Sequence, residues 1–197
     1  MARENKTKYA ILGLLGWKPM SGYDIKKMVE QSLGNFWSES YGQIYPIIKQ
    51  LAAEGLATRI VERQEGKPDR YLYTITAAGR LELRQWLAKP ADPHKERVEI
   101  LLKVFFGSEM PVSDNIEHFM RFRQEQLENL QRYVATEQRL MSEQSDNPHS
   151  PYWLMSVRCG QWVSRALVDW CEESLTDLQQ ITTEEGVASP PGNNRDN

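Results

Sequence analysis

Apolar residues recur at helical spacing through the first fifty positions of the chain. Ile11, Leu12, Leu14 and Leu15 predict a first helix over about residues 6–16, broken by Gly16-Trp17-Lys18-Pro19. Ser21 is placed to cap a second helix from residue 22 to about 32, with Tyr23, Ile25 and Met28 apolar and Lys26, Lys27 and Glu30 outward. Gly34-Asn35 supplies a turn, and a third helix starts near Ser40. Its Ile44, Ile47, Ile48 and Leu51 form an i, i+3, i+4, i+7 face, and Gly55 stops it. The pattern then changes period. Residues 56–62 and 70–75 are rich in strand formers, and residues 64–69 between them have the punctuation of a turn. A hairpin directly after a helix-turn-helix outline is a wing. Thr76 caps a fourth helix through Leu81, Leu83 and Trp86 to Leu87, which Lys89-Pro90-Ala91-Asp92-Pro93 ends.

The second half reads as helix throughout. Val98, Leu101, Leu102 and Phe105 share a face that ends at Gly107. From residue 112 to about 142, Met120, Leu127, Val134 and Met141 recur every seven residues, with Ile116 and Leu130 beside them. The companion positions Arg123 and Glu137 are polar, so the pattern predicts a partial seam. After a loop over 145–151, a last helix from about 152 to 181 repeats Met155, Cys159, Trp162, Val163, Ala166, Trp170 and Leu178. The polar residues beyond Thr182, with Ser189-Pro190-Pro191-Gly192, predict a disordered tail. The expected fold class is therefore mainly α with a small β-hairpin. Residues 1–90 form a winged helix-turn-helix DNA-binding domain, residues 91–181 a helical dimerisation domain, and residues 182–197 the tail.

Composition narrows the function. The chain has 197 residues, of which 40% are hydrophobic and 26% charged, as in a soluble globular protein. No apolar run approaches the roughly 20 residues that cross a bilayer. The polar N-terminus leads into Tyr9-Ala10-Ile11-Leu12 without a small-residue cleavage site, so the expected location is cytoplasmic. The total charge of −3 is split: residues 1–90 hold fourteen Lys and Arg against nine Asp and Glu, whereas residues 91–197 are acidic. That division suits a DNA-binding half joined to a half that does not touch DNA. Cys159 and Cys171 lie twelve apart on one expected helix, and His94, His118 and His149 are scattered. Neither a metal site nor a cofactor is expected. The chain has no Ser/His/Asp grouping and no glycine-rich phosphate loop, which speaks against an enzyme.

The third helix carries the candidate chemistry. With its isoleucines inward, Tyr41, Gln43, Tyr45, Lys49 and Gln50 face the open side. Glutamine can bond both edge groups of an adenine, and tyrosine and lysine reach phosphates. Ser38 and Ser40 add hydroxyls near the helix start, and Ser21 is a further phosphate candidate at the second helix. Lys67 at the wing tip, flanked by Arg63 and Arg70, is placed to reach phosphates or the minor groove. Any amphipathic surface helix leaves polar residues outside, so the hairpin after it is what favours DNA. Pro46 is a local violation, to be met by a bend or by a late helix start. The aromatic group Tyr152, Trp153, Trp162 and Trp170 suits either a core and dimer interface or a pocket for a flat effector.

Three segments carry a family resemblance: Ser21-Gly22-Tyr23-Asp24-Ile25, then Gly42-Gln43-Ile44-Tyr45-Pro46-Ile47-Ile48-Lys49-Gln50-Leu51 with Gly55-Leu56, then Tyr71-Leu72-Tyr73-Thr74-Ile75-Thr76-Ala77-Ala78-Gly79. Together they resemble the PadR family of bacterial regulators. Glu99-Ile100-Leu101-Leu102-Lys103-Val104-Phe105-Phe106 is similar to the opening of the longer helical C-terminal domain in one branch, which includes a virulence-activator type. The resemblance extends to about Ile181. It implies a dimeric winged helix on palindromic double-stranded DNA, usually a repressor and sometimes responsive to a small aromatic effector such as a phenolic acid. Tyr41 and Gln43 to Tyr45 match the family's DNA-reading segment, and no effector-binding residue is matched. The competing reading is a winged helix used for protein contacts without specific DNA binding.

Overall fold

The computed structural model describes residues 5–33, 44–63, 70–93 and 98–187. The chain divides into two compact units, Met1–His94 and Lys95–Asn197. The first contains α1 (Thr7–Trp17), α2 (Gly22–Met28), α3 (Ile44–Ala53), β1 (Ala57–Glu62), β2 (Arg70–Ile75) and α4 (Ala77–Leu87). The second contains α5 (Glu99–Phe105), a short 3-10 turn (Gly107–Glu109), α6 (Val112–Glu143) and α7 (Ser150–Val187).

One apolar core holds the first unit. Ile11, Leu12, Leu14 and Leu15 of α1 meet Ile25 of α2 and the Ile44, Ile47, Ile48 and Leu51 face of α3. Each such side chain contributes about 1.5–3 kcal/mol when fully buried. Ala57, Tyr73 and Ile75 close the core from the hairpin, and Tyr9 stacks on Trp86 of α4 with ring centroids 4.5 Å apart. β1 and β2 pair antiparallel from Ala57 opposite Ile75 to Glu62 opposite Arg70. Met20 adds a bridge on the other edge of β2: its N–H donates to the Tyr73 carbonyl (3.0 Å) and its carbonyl accepts from the Tyr73 N–H (2.9 Å). The expected hairpin turn, 64–69, lies outside the described residues.

The corner between α3 and α4 shows why the sequence punctuates there. Gly55 has φ +73°, and the Leu56 N–H donates to the Leu51 carbonyl (2.9 Å), the glycine-ended helix stop. Thr76 caps α4 by accepting from the Gly79 N–H, and its own hydroxyl donates to the Gly55 carbonyl (2.8 Å). Gly79 packs so closely that a Cβ there would lie 2.1 Å from the Leu56 carbonyl oxygen.

Two expectations are corrected. The second helix is α-helical only to Met28, after which Val29–Leu33 opens into a π-helical turn, with the Ser32 hydroxyl donating back to the Met28 carbonyl. Such back-bonding disturbs the regular ladder near a helix end. The expected end of the last helix near residue 181 is also passed, because α7 runs to Val187. Thr182 donates to the Leu178 carbonyl (3.0 Å), and helix-compatible glutamates follow it. Residues 188–197 lie outside the described part of the chain.

In the second unit the expected partial seam is accompanied by a row of mixed chemistry. α6 and α7 form a long antiparallel pair, about 48 and 57 Å at 1.5 Å per residue. Of the heptad row, Met120, Val134 and Met141 are exposed and Leu127 is half-buried. The contact is made by a different row. Phe119 and Phe122 meet Trp170, Arg123 pairs with Glu172 (Nε to Oε1 3.0 Å), Tyr133 lies against Gly160, and Glu137 takes Arg158 and Gln161 (2.7 and 2.6 Å). The arginine and glutamate that seemed to interrupt a zipper are what join the helices. Among the described residues, no helix is long and apolar enough to cross a membrane.

Two glycine substitutions separate packing from propensity. Gly79→Ala should destabilise the first unit by about 2 kcal/mol or more in urea unfolding, because the new methyl meets backbone. Gly13→Ala, with nothing within 4 Å of its Cβ position, should instead stabilise by about 0.5–1 kcal/mol.

Candidate nucleic-acid interface

Three parts of the first unit converge on one side of α3: its outward face, the start of α2 and the hairpin. Burial of Ile44, Ile47, Ile48 and Leu51 leaves Tyr45, Pro46, Lys49 and Gln50 exposed. Pro46 is the third residue of the described part of α3. Gln50 bonds to Glu54 along the helix (2.7 Å), whereas Lys49 remains exposed and unshielded on the same face.

Tyr45 owes its place to Gly22. Its ring lies over the first residue of α2, where a Cβ would come within 2.6 Å of Cε1. The ring is therefore seated on bare backbone with about half its surface open.

Before Gly22, Ser21 forms a complete capping box: its hydroxyl accepts from the Asp24 N–H, and its own N–H and hydroxyl donate to Asp24 Oδ2, each at 2.9 Å. Ser21 is buried, and its hydroxyl is engaged in the box. Asp24 Oδ2 also accepts from Arg70 Nη2, at the start of β2, and Glu62 Oε2 lies 3.9 Å from Arg70 Nε. Desolvation raises the Asp24 pKa most among single influences. The Ser21 donors and the Arg70 guanidinium together outweigh it, so the carboxyl sits below its usual 3.8.

Of the residues expected to contact DNA, Ser21, Tyr45, Lys49, Arg63 and Arg70 are described. Ser38, Ser40, Tyr41, Gln43 and Lys67 lie outside the described residues. Tyr45, Lys49 and Arg63 are exposed, while Ser21 and Arg70 are engaged as above. Two contributors were missed. Arg59 stacks over Tyr71 (4.7 Å) and lines, with Lys49, Thr58 and Tyr73, an open depression between α3 and the hairpin. Strand alternation from Tyr73 would have found it, because the two are paired across the hairpin. Asp24 was legible as the acidic third residue after a serine cap.

Comparison with known proteins gives the arrangement a context. The family model described as transcriptional regulator PadR-like matches residues 11–85, and that described as virulence activator alpha C-term matches residues 96–179. The negative transcriptional regulator PadR of Bacillus subtilis is 39% identical over 128 residues, 63% of this chain and 70% of that protein. The crystal structure of Bacillus subtilis PadR in complex with operator DNA superposes with a TM-score of 0.78 at 31% identity, covering 88% of this chain and 99% of that one. The same protein in complex with p-coumaric acid gives 0.71 at 29% identity, covering 87% and 94%.

The Asp24 carboxyl provides a pH test. Its folded pKa is depressed, so its stabilising contribution is complete above 3.8 and is lost as pH falls through the folded value. The stability difference between the wild-type protein and Asp24→Asn should therefore shrink in acid. Titration of the Asp24 carboxyl by NMR should give a midpoint below 3.8; a midpoint at or above it contradicts the hydrogen-bonded geometry.

Proposed function

The chain belongs to the PadR-like family of transcriptional regulators, and from that premise we propose that it is a sequence-specific repressor gripping a palindromic operator as a homodimer. The family is one of regulators, not of enzymes. One observation carries the reading. α3 turns Tyr45 and Lys49 outward beside a hairpin bearing Arg59 and Arg63, on a fold whose Bacillus subtilis relative is seen on operator DNA. Tyr45 then reads base edges or positions the helix in the major groove, and the same role is assigned from the sequence to Gln43, Tyr41, Ser38 and Ser40, which lie outside the described residues. Lys49, Arg63 and Lys67 neutralise phosphates. Acting on DNA places the protein in the cytoplasm.

The dimer reading rests on the second unit. α5, α6 and α7 leave large apolar side chains uncovered: Phe105 is 80% exposed, Trp162 68% and Met120 59%. Large exposed apolar side chains on three helices suit an interface. A second copy is the occupant that also supplies two recognition helices about 34 Å apart, as a palindrome requires. A small aromatic acid is the effector class, by analogy with the p-coumaric acid bound by the relative.

Two measurements test these readings. Titrated against the duplex upstream of its own gene and a scrambled one, the protein should prefer the former by about a thousandfold or more. Lys49→Ala should reduce the slope of log affinity against log salt by about 0.9. Equal, weak binding to both duplexes would favour a protein-interaction module. In light scattering the wild-type chain should have the mass of a dimer, and Trp162→Asp with Val163→Asp that of a monomer. A monomeric wild type at micromolar concentration would overturn the homodimer.

A further inference from the structure

Among the described residues, the hairpin buries side chains in the core only near its base. Ala57, Tyr73 and Ile75 are buried, whereas Thr58 to Glu62 and Tyr71 are exposed. Beyond the Met20–Tyr73 bridge, the outer half carries side-chain contacts within itself, such as Arg59 on Tyr71. Among the described residues, one ion pair ties that outer half back to a helix: Arg70 to Asp24, joining residues 46 apart in sequence.

We propose that Asp24 is a positioning residue for DNA binding, which through Arg70 holds the hairpin beside α3, and that Arg70 is a tether rather than a phosphate contact. This rests on the DNA-binding reading of the hairpin above.

The post to which the tether is fixed is rigid. Asp24 Oδ2 is held by the Ser21 N–H and hydroxyl, Ser21 is buried, and the residue before it, Met20, is paired with β2. One oxygen thus closes the α2 cap and receives the guanidinium of the hairpin. Fixing the hairpin in advance removes an ordering cost that would otherwise be met on binding. The charge balance points the same way. Arg70 lies between Asp24 and Glu62, two carboxylates to one guanidinium, so a phosphate would have to displace a charged partner already in place. Lys49 and Arg63 are exposed, and among the described residues neither is paired with a carboxylate.

The test uses the full-length protein with Asp24→Asn, Arg70→Gln and the double variant. Asparagine retains an acceptor for Ser21, and Arg70→Gln leaves the capping box intact, so a loss shared by both is not a capping defect. In the DNA-free protein, amide hydrogen exchange over 58–62 and 70–73 should accelerate several-fold in either single variant and no further in the double. The amides of α1 and α4 should be unchanged. Unchanged hairpin exchange in both single variants would overturn the tether, whatever the protein does with DNA. On its preferred duplex each single variant should lose about tenfold in affinity, the double should lose no more, and the salt slope should stay constant. Arg70→Lys should recover part of the loss. If Arg70→Gln instead lowers the slope by about 0.9 while Asp24→Asn tightens binding, Arg70 is a phosphate contact and the proposal fails. Additive losses would also refute it. Failure of the wild-type protein to distinguish its own duplex from a scrambled one would refute the DNA-binding reading, and the exchange result would still decide the tether.

Discussion

The first unit depends on how β2 is held. Along one edge it pairs with β1 from Ile75 to Arg70, and on the other the backbone of Tyr73 exchanges two hydrogen bonds with Met20. Met20 immediately precedes the Ser21 cap, so this bridge places the start of α2 against the hairpin before any side chain of the interface is considered. From there Gly22 offers bare backbone to the Tyr45 ring, and Asp24 reaches Arg70. The three parts of the interface are linked through five consecutive residues, Met20 to Asp24.

The other end of α3 is governed by a similar economy. Gly55 turns the chain with a positive φ, Leu56 returns a hydrogen bond to Leu51, and Thr76 and Gly79 close onto the same corner. α3 is thereby fixed at its C-terminal end by backbone and along its length by isoleucine and leucine packing. Its outer face adds nothing to the apolar core and leaves Lys49 and the open half of Tyr45 exposed. A buried face set by close packing and an open face set by chemistry are the two requirements of a helix that reads DNA.

The second unit divides its surfaces differently. Aromatic rings and ion pairs join α6 to α7, through Phe119, Phe122, Arg123, Tyr133 and Glu137. The more regular apolar rows, Met120 and Met141 on α6 and Met155, Trp162 and Val163 on α7, remain outside. Three of the four heptad residues of α6 thus stay exposed while Leu127 is half-buried, and the mixed row makes the contact with α7. Hydrophobic periodicity reports that a face is covered by something; it does not say whether by the same chain or by another.

Much of this was legible in the residues. Among the described residues periodicity located the α-helices, although the second leaves α geometry after Met28 and α7 outruns its expected end; the switch to strand formers located the hairpin, and Ser21, Gly55 and Thr76 marked ends that the backbone then used. Local rules suffice there because each involves atoms a few residues apart. Arg63, Tyr45 and Lys49 could likewise be placed on an open face from spacing alone. What the sequence could not disclose were pairings over long separations: Arg70 with Asp24, Tyr45 on Gly22, Arg123 with Glu172. Arg70 looked like any other basic residue of a turn until the fold set a carboxylate beside it, and Arg123 and Glu137 looked like flaws in a seam until α7 brought their partners. Spacing along the chain decides which side of an element a residue occupies. Only the tertiary structure decides what waits on that side, because the free energy of a charge or a ring depends on the neighbours that folding assembles around it.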